Sequence, residues 1–118
     1  FHALPGMVEG ELCDLLASLA GEFRPPQAQL SAIMPLGGGT AFRIDSAEML
    51  ALRALVAQRF AGMLTPQDSH VPRLHVTVQN KVTGAQAKAL QAVLAARFEP
   101  RSFAFAGLAL HAYRGGPW

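Results

Sequence analysis

The segment Arg73–Val82 places strong limits on the fold, because its polar and apolar side chains alternate with a period of two and predict a β-strand. Successive strand residues point to opposite faces, so one face is apolar and can pack under helices through Leu74, Val76 and Val78. The other face is predicted to carry five polar side chains: Arg73, His75, Thr77, Gln79 and Lys81. Such a face needs either water or a polar ligand against it.

Apolar residues three and four positions apart predict three helices elsewhere in the chain. The first runs from Glu11 to Ala20, the second is capped by Ser46, and the third follows a capping box formed by Thr83 and Gln86. Helices of this kind bury one face and leave the other in water. They are therefore expected to cover a sheet from outside.

Four further apolar runs predict strands: Phe1–Leu4, Ala28–Leu36, Thr40–Asp45 and Phe103–Tyr113. The tract Gly37–Gly39 joins two of them and predicts a hairpin. The polar stretch Thr65–Pro72 is predicted to be a loop. The resulting order, β-α-β-β-α-β-α-β, predicts an α+β domain with an antiparallel sheet and helices packed outside.

Composition limits the classes of protein to which the chain can belong. Of its 118 residues, 51% are hydrophobic and 15% are charged, which indicates one folded domain and excludes disorder. The net charge of +2 is compatible with a phosphate-bearing ligand but far below what a duplex-DNA-binding surface needs. A single cysteine, Cys13, cannot form an internal disulfide and favours the cytoplasm. No apolar run approaches the ~20 residues of a membrane span.

The pair His75 and Thr77 is the strongest candidate for chemistry. Two positions along a strand place them ~7 Å apart on one face. One phosphate can then accept a bond from the hydroxyl while the imidazole reaches a neighbouring oxygen, and histidine exchanges protons near neutral pH. The pattern alone is weak, because a solvated strand face often has the same composition.

The stretches HVTVQNKVT, LQAVLAARF and GLALHAYRGGPW resemble the C-terminal half of the 2H phosphoesterase superfamily, in particular bacterial 2′-5′ RNA ligase-like proteins, and FHALPG resembles the stretch after their first catalytic motif. The resemblance implies a bilobal fold in which antiparallel sheets form a central cleft and each lobe presents an H-x-S/T motif. It also implies that one histidine is the general base and the other the general acid on a phosphodiester, commonly a 2′,3′-cyclic phosphate. The resemblance further implies that no metal is required, and no other cofactor is expected. Carried over, it makes His75 the histidine of the second motif and Thr77 its hydroxyl partner.

Further side chains are expected to bind the substrate, an RNA end or a nucleotide. Three of them belong to the same predicted strand: Arg73, Gln79 and Lys81. Arg43 either faces the same cleft or is a solvated charge. Tyr113 and Trp118 either stack on a base or belong to the core. A monomer is compatible with all of these assignments.

The sequence contains one H-x-S/T motif where the resemblance implies two. Because the chain begins at Phe1 and not at a methionine, we expect the first motif to lie in a segment before it. The leading interpretation is a metal-independent phosphoesterase acting on an RNA-derived cyclic phosphodiester. The alternatives are a non-catalytic RNA- or nucleotide-binding module on the same scaffold, and a protein-interaction domain whose polar face is only solvated.

Overall fold

The computed structural model describes residues 9–62 and 64–111. They form three α-helices and one 3-10 turn: α1 (Glu9–Glu22), α2 (Ala47–Arg59), the turn Pro66–Ser69 and α3 (Gly84–Ala95). They also form four strands: β1 (Gln27–Pro35), β2 (Thr40–Asp45), β3 (His75–Gln79) and β4 (Arg101–Ala104). The sheet order is β3-β2-β1-β4, with every pair antiparallel. The predicted α+β class and antiparallel pairing are confirmed.

β1 and β2 form the predicted hairpin. Its turn is closed by a hydrogen bond from the Leu36 N–H to the Gly39 carbonyl at 3.1 Å. Gly37 has a φ of 74°, a left-handed conformation that glycine adopts at little steric cost. A Cβ on Gly39 would collide with the Gln79 carbonyl oxygen and lie 3.1 Å from the Cα of Asn80. The two glycines therefore have separate roles: Gly37 allows the turn, and Gly39 allows the chain to approach the end of β3 closely.

Both predicted helix caps are present. The Ser46 hydroxyl accepts a hydrogen bond from the Met49 N–H at 3.1 Å and donates one to the Gln27 carbonyl at 2.6 Å. Thr83 and Gln86 form the capping box, each side chain bonding the backbone N–H of the other. Because a cap satisfies N–H groups that a helix leaves unpaired, these residues fix where α2 and α3 begin.

An apolar core lies between α1 and α2. Leu19 of α1 is buried against Leu52 and Val56 of α2 and against Phe60, which caps that helix. Three more leucines of α1 pack against the same core and are partly buried: Leu12, Leu15 and Leu16. None of the helices described is long and apolar enough to cross a bilayer. Each large side chain buried here contributes about 1.5–3 kcal/mol, so this cluster holds the two helices together.

One face of the sheet is covered by α3. Thr40 is completely buried there, with its hydroxyl 3.5 Å from the Ala87 carbonyl oxygen and 3.3 Å from Nε2 of Gln91. Phe42, two positions along β2, stacks on Phe98 with ring centroids 5.9 Å apart. We call the opposite side the open face, and on β2 it holds the alternating residues: Ala41, Arg43 and Asp45.

The predicted strand Phe103–Tyr113 is much shorter in the structure. β4 ends at Ala104, and the described residues after it are not in a strand. The Phe105 N–H still bonds the Pro26 carbonyl at 3.0 Å, but a proline has no N–H to return the bond, so the ladder ends there. The predicted strand Phe1–Leu4 lies outside the described residues.

The expectation that the apolar face of β3 packs under a helix is wrong. Val76 and Val78 are 48% and 45% exposed. β3 is an edge strand of the described sheet, whereas α3 packs over β1 and β2. Hydrophobic alternation indicated the strand correctly, but it did not indicate how far the helix layer extends.

Candidate functional site

The register between β2 and β3 places the predicted catalytic pair on the open face. His75 is the cross-strand partner of Arg43, and Thr77 is the partner of Ala41. Directly opposed residues of antiparallel strands share a face. The imidazole, the hydroxyl and the guanidinium therefore lie on the side of the sheet away from α3, and all three residues are exposed.

A backbone contact orients the imidazole of His75. Its Nδ1 lies 2.7 Å from the carbonyl oxygen of Arg73. A carbonyl oxygen only accepts hydrogen bonds, so we assign the proton of the neutral ring to Nδ1. The assignment leaves a lone pair on Nε2, the nitrogen that can take a proton from a reacting group.

The hydroxyl of Thr77 is available for a ligand. The residue is exposed, and within residues 9–62 and 64–111 its side chain has no hydrogen-bond partner. Its neighbour across the strand pair, Ala41, is a small residue that is fully buried. A donor with this freedom beside an imidazole is suited to an anionic oxygen.

Arg43 is held by an ion pair within its own strand. Its Nε lies 3.0 Å from Oδ1 of Asp45, with side chains 61% and 49% exposed. The pKa of the Asp45 carboxyl is lowered, chiefly by the Ser31 hydroxyl and further by the hydrogen bond and charge of Arg43, although desolvation acts in the opposite direction. The buried Oγ of Ser31 has no hydrogen-bond partner among the described residues. Its contact with the Asp45 carboxylate is therefore close but falls short of full hydrogen-bond geometry. Asp45 is therefore ionised at neutral pH beside a guanidinium.

The predicted placement of Gln79 beside His75 and Thr77 is wrong. Ala41 pairs with Thr77 but the preceding β2 residue, Thr40, pairs with Gln79, so Val78 is an extra residue that forms a bulge. The bulge turns Gln79 to the α3 side, where its Oε1 accepts a hydrogen bond from the Thr40 hydroxyl at 3.3 Å. Gln79 supports the end of the strand from the covered side.

The other predicted binding residues fall at the ends of β3 or beyond the described residues. Arg73 precedes the strand and Lys81 follows it, and both are exposed. Lys81 has a φ of 57°, and its N–H is bonded by Oδ1 of Asn80 at 2.9 Å. Tyr113 and Trp118 lie outside the described residues, so their roles stay predictions.

Asp45 was not identified from the sequence. The signal was available, because Arg43 and Asp45 are opposite charges two positions apart in a predicted strand and so share a face.

No group of three or more metal-ligating side chains comes together in the described parts of the chain. These parts form one four-stranded sheet, so the bilobal cleft also stays a prediction.

Comparison with known protein families gives a match over most of the chain. The family model described as the 2′-5′ RNA ligase superfamily matches residues 3–117. Neither the curated proteins nor the solved structures contain a significant match. The family match spans the hairpin, β3 with its H-x-T motif, and α3.

Proposed function

Because the chain belongs to the 2′-5′ RNA ligase superfamily, we propose that it is a phosphoesterase that opens a 2′,3′-cyclic phosphate on an RNA end or a nucleotide. The observation that carries the proposal is the cross-strand group on the open face. There, His75 and Thr77 lie beside Arg43, and all three residues are exposed. This group combines a proton carrier, a neutral donor and a fixed positive charge.

Opening the ring needs proton transfer at two positions. A water oxygen attacks the phosphorus while its proton passes to a base, and the bond from phosphorus to one ribose oxygen breaks while that oxygen receives a proton from an acid. His75 can fill one of these roles through Nε2, because the Arg73 carbonyl holds Nδ1. A positioned general acid or base contributes about 10²–10⁴-fold in rate.

Negative charge increases on the non-bridging oxygens during this reaction. The Thr77 hydroxyl would donate to one of them, and the guanidinium of Arg43 would neutralise the charge. Donors fixed before the reaction begins are effective because they need no reorganisation, and each is worth up to about 10²–10³-fold in rate. Arg73 and Lys81 would attract the anionic substrate from the two ends of the strand.

The decisive variant is His75→Ala in the intact protein. The substrates are a nucleoside 2′,3′-cyclic monophosphate and an oligonucleotide that ends in the same group. We expect kcat to fall at least ~10²-fold because the proton carrier is lost. The thermal midpoint should hardly change because the side chain is exposed.

His70→Ala is the matched control, since His70 is also exposed but lies outside β3. It should retain the wild-type rate. Hydrolysis that persists at the wild-type rate in His75→Ala would remove the assignment.

A binding module on the same scaffold is the second candidate. The observation that favours it is the single H-x-S/T motif in these 118 residues, since a two-histidine relay needs a second imidazole from elsewhere. Single-turnover assays separate the two candidates. A module would bind the cyclic phosphate and release it unchanged, whereas an enzyme would convert it in the first turnover.

A further inference from the structure

We propose that Asp45 is a positioning residue that fixes the guanidinium of Arg43 beside His75, so that its Nη1 and Nη2 groups bind a non-bridging phosphate oxygen. This inference rests on the proposed function and adds a residue that does not touch the substrate. Its basis is the arrangement of the three residues on the open face. Arg43 pairs across the strands with His75 and along its own strand with Asp45.

The ion pair uses Nε of Arg43, so the edge of the guanidinium that carries Nη1 and Nη2 is left for a ligand. Nε of Arg43 donates to Oδ1 of Asp45 at 3.0 Å, which occupies one of its five N–H groups. Among the described residues, the other four have no partner. A guanidinium bound through Nε has its plane fixed, and its two Nη groups can then bind a phosphate in the bidentate manner typical of arginine.

The strand pairing places Arg43 next to the predicted catalytic pair. Cross-strand partners have Cα atoms only ~4.5–5.5 Å apart, so Arg43 is the nearest β2 neighbour of His75 on that face. Asp45 lies two positions further along β2, on the side away from Thr77. A bond at that position restrains a long flexible side chain that water would otherwise leave in many rotamers.

An ordinary surface ion pair predicts a different outcome from a positioning role. Exposed pairs contribute little to stability, because water and salt screen them. If the pair were only that, removing Asp45 would take a negative charge from beside an anionic substrate and leave binding unchanged or stronger. A positioning role predicts weaker binding and slower turnover. The two explanations differ in sign.

The experiment uses the intact protein with Asp45→Ala, Asp45→Asn, Arg43→Ala and the double variant Arg43→Ala/Asp45→Ala. We expect kcat/KM for cytidine 2′,3′-cyclic monophosphate to fall ~10-fold in Asp45→Ala and ~10²-fold in Arg43→Ala. The double variant should lose no more than Arg43→Ala alone, because Asp45 acts only through the guanidinium. Asp45→Asn should recover part of the loss, since its amide oxygen still accepts from Nε.

Glu99→Gln is the control for charge, because it removes an exposed carboxylate outside the site. It should leave kcat/KM unchanged. An unchanged or raised kcat/KM in Asp45→Ala, or losses that add fully in the double variant, would overturn the positioning role while His75→Ala still tested the enzyme itself.

The same variants are titrated with the cyclic nucleotide under conditions without turnover. If the wild type binds but does not react, the proposed hydrolysis fails and the order of dissociation constants still tests Asp45. Absence of any binding by the wild type would overturn the positioning role as well.

Discussion

Thr40 and Thr77 have the same side chain, lie on neighbouring strands and face opposite sides of the sheet. Thr40 is completely buried and its hydroxyl lies within 3.5 Å of groups on Gln79, Ala87 and Gln91. Thr77 is exposed, and its hydroxyl has no partner among the described residues. Identical chemistry is thus used for packing on one face and left for a ligand on the other.

The bulge in β3 separates these two uses. Had β3 paired regularly with β2, without the bulge at Val78, alternation would have placed Gln79 on the open face next to Thr77. With it, Gln79 reaches the buried Thr40 instead. The polar network under α3 therefore holds the end of the strand whose other residues form the candidate site.

The largest effect is expected from Gly39→Ala, which disturbs the place where β2 meets the bulge. The new Cβ would overlap the Gln79 carbonyl, a backbone atom that cannot rotate away. We expect a loss of about 3 kcal/mol in the free energy of unfolding, measured by urea denaturation.

Gly38→Ala is the control for this variant, since its Cβ would lie 3.4 Å from the Val82 carbonyl oxygen, a much milder contact. It should lose far less stability. Equal losses in the two variants would mean that turn flexibility, and not the close approach to β3, determines the effect.

A smaller loss of stability is expected from Thr40→Val, and its comparison with Thr77→Val tests the different roles of the two threonines. Thr40→Val keeps the shape of the side chain but leaves part-buried polar atoms of Gln79 and Gln91 with one partner fewer, which should cost about 1–2 kcal/mol in unfolding free energy. Thr77→Val changes the same atoms on the exposed face and should leave stability within about 0.5 kcal/mol while slowing turnover.

Thermal melts and initial rates measured on both variants test this comparison. If Thr77→Val destabilised the protein as much as Thr40→Val, the open face would have a structural role that the exposure of Thr77 does not indicate.

The sequence was sufficient where a residue's environment follows from its neighbours in the chain. Strand β2 has the predicted bounds Thr40–Asp45, and Ser46, Thr83 and Gln86 cap their helices as predicted. Capping and alternation depend on residues at most four positions apart. His75 and Thr77 lie on one exposed face for the same reason.

The sequence failed where the outcome depends on a distant strand. The bulge at Val78 arises from the register of β3 against β2, and no period within residues 73–82 reveals it. The end of β4 depends on Pro26, which lies far away in the sequence but opposite Phe105 in the sheet. In both cases alternation continues in the sequence although the pairing changes in the structure.

The smallest predicted effect concerns the ionisation of Asp45 at the edge of the open face. In an NMR titration its carboxyl should have a pKa below the ordinary 3.8, and both Ser31→Ala and Arg43→Ala should raise that pKa, because the hydroxyl is the largest single cause and the guanidinium lowers the pKa both by its hydrogen bond and by its charge. A lowered pKa in the folded state means that the stabilisation is present above the unfolded pKa of about 4 and is lost as the pH falls through the folded value. Asp45→Asn should therefore weaken the acid dependence of the thermal midpoint below about pH 4, and only slightly, because the group is exposed. A larger rise in Arg43→Ala than in Ser31→Ala would strengthen the coupling between Asp45 and Arg43, and no rise in Arg43→Ala would contradict it.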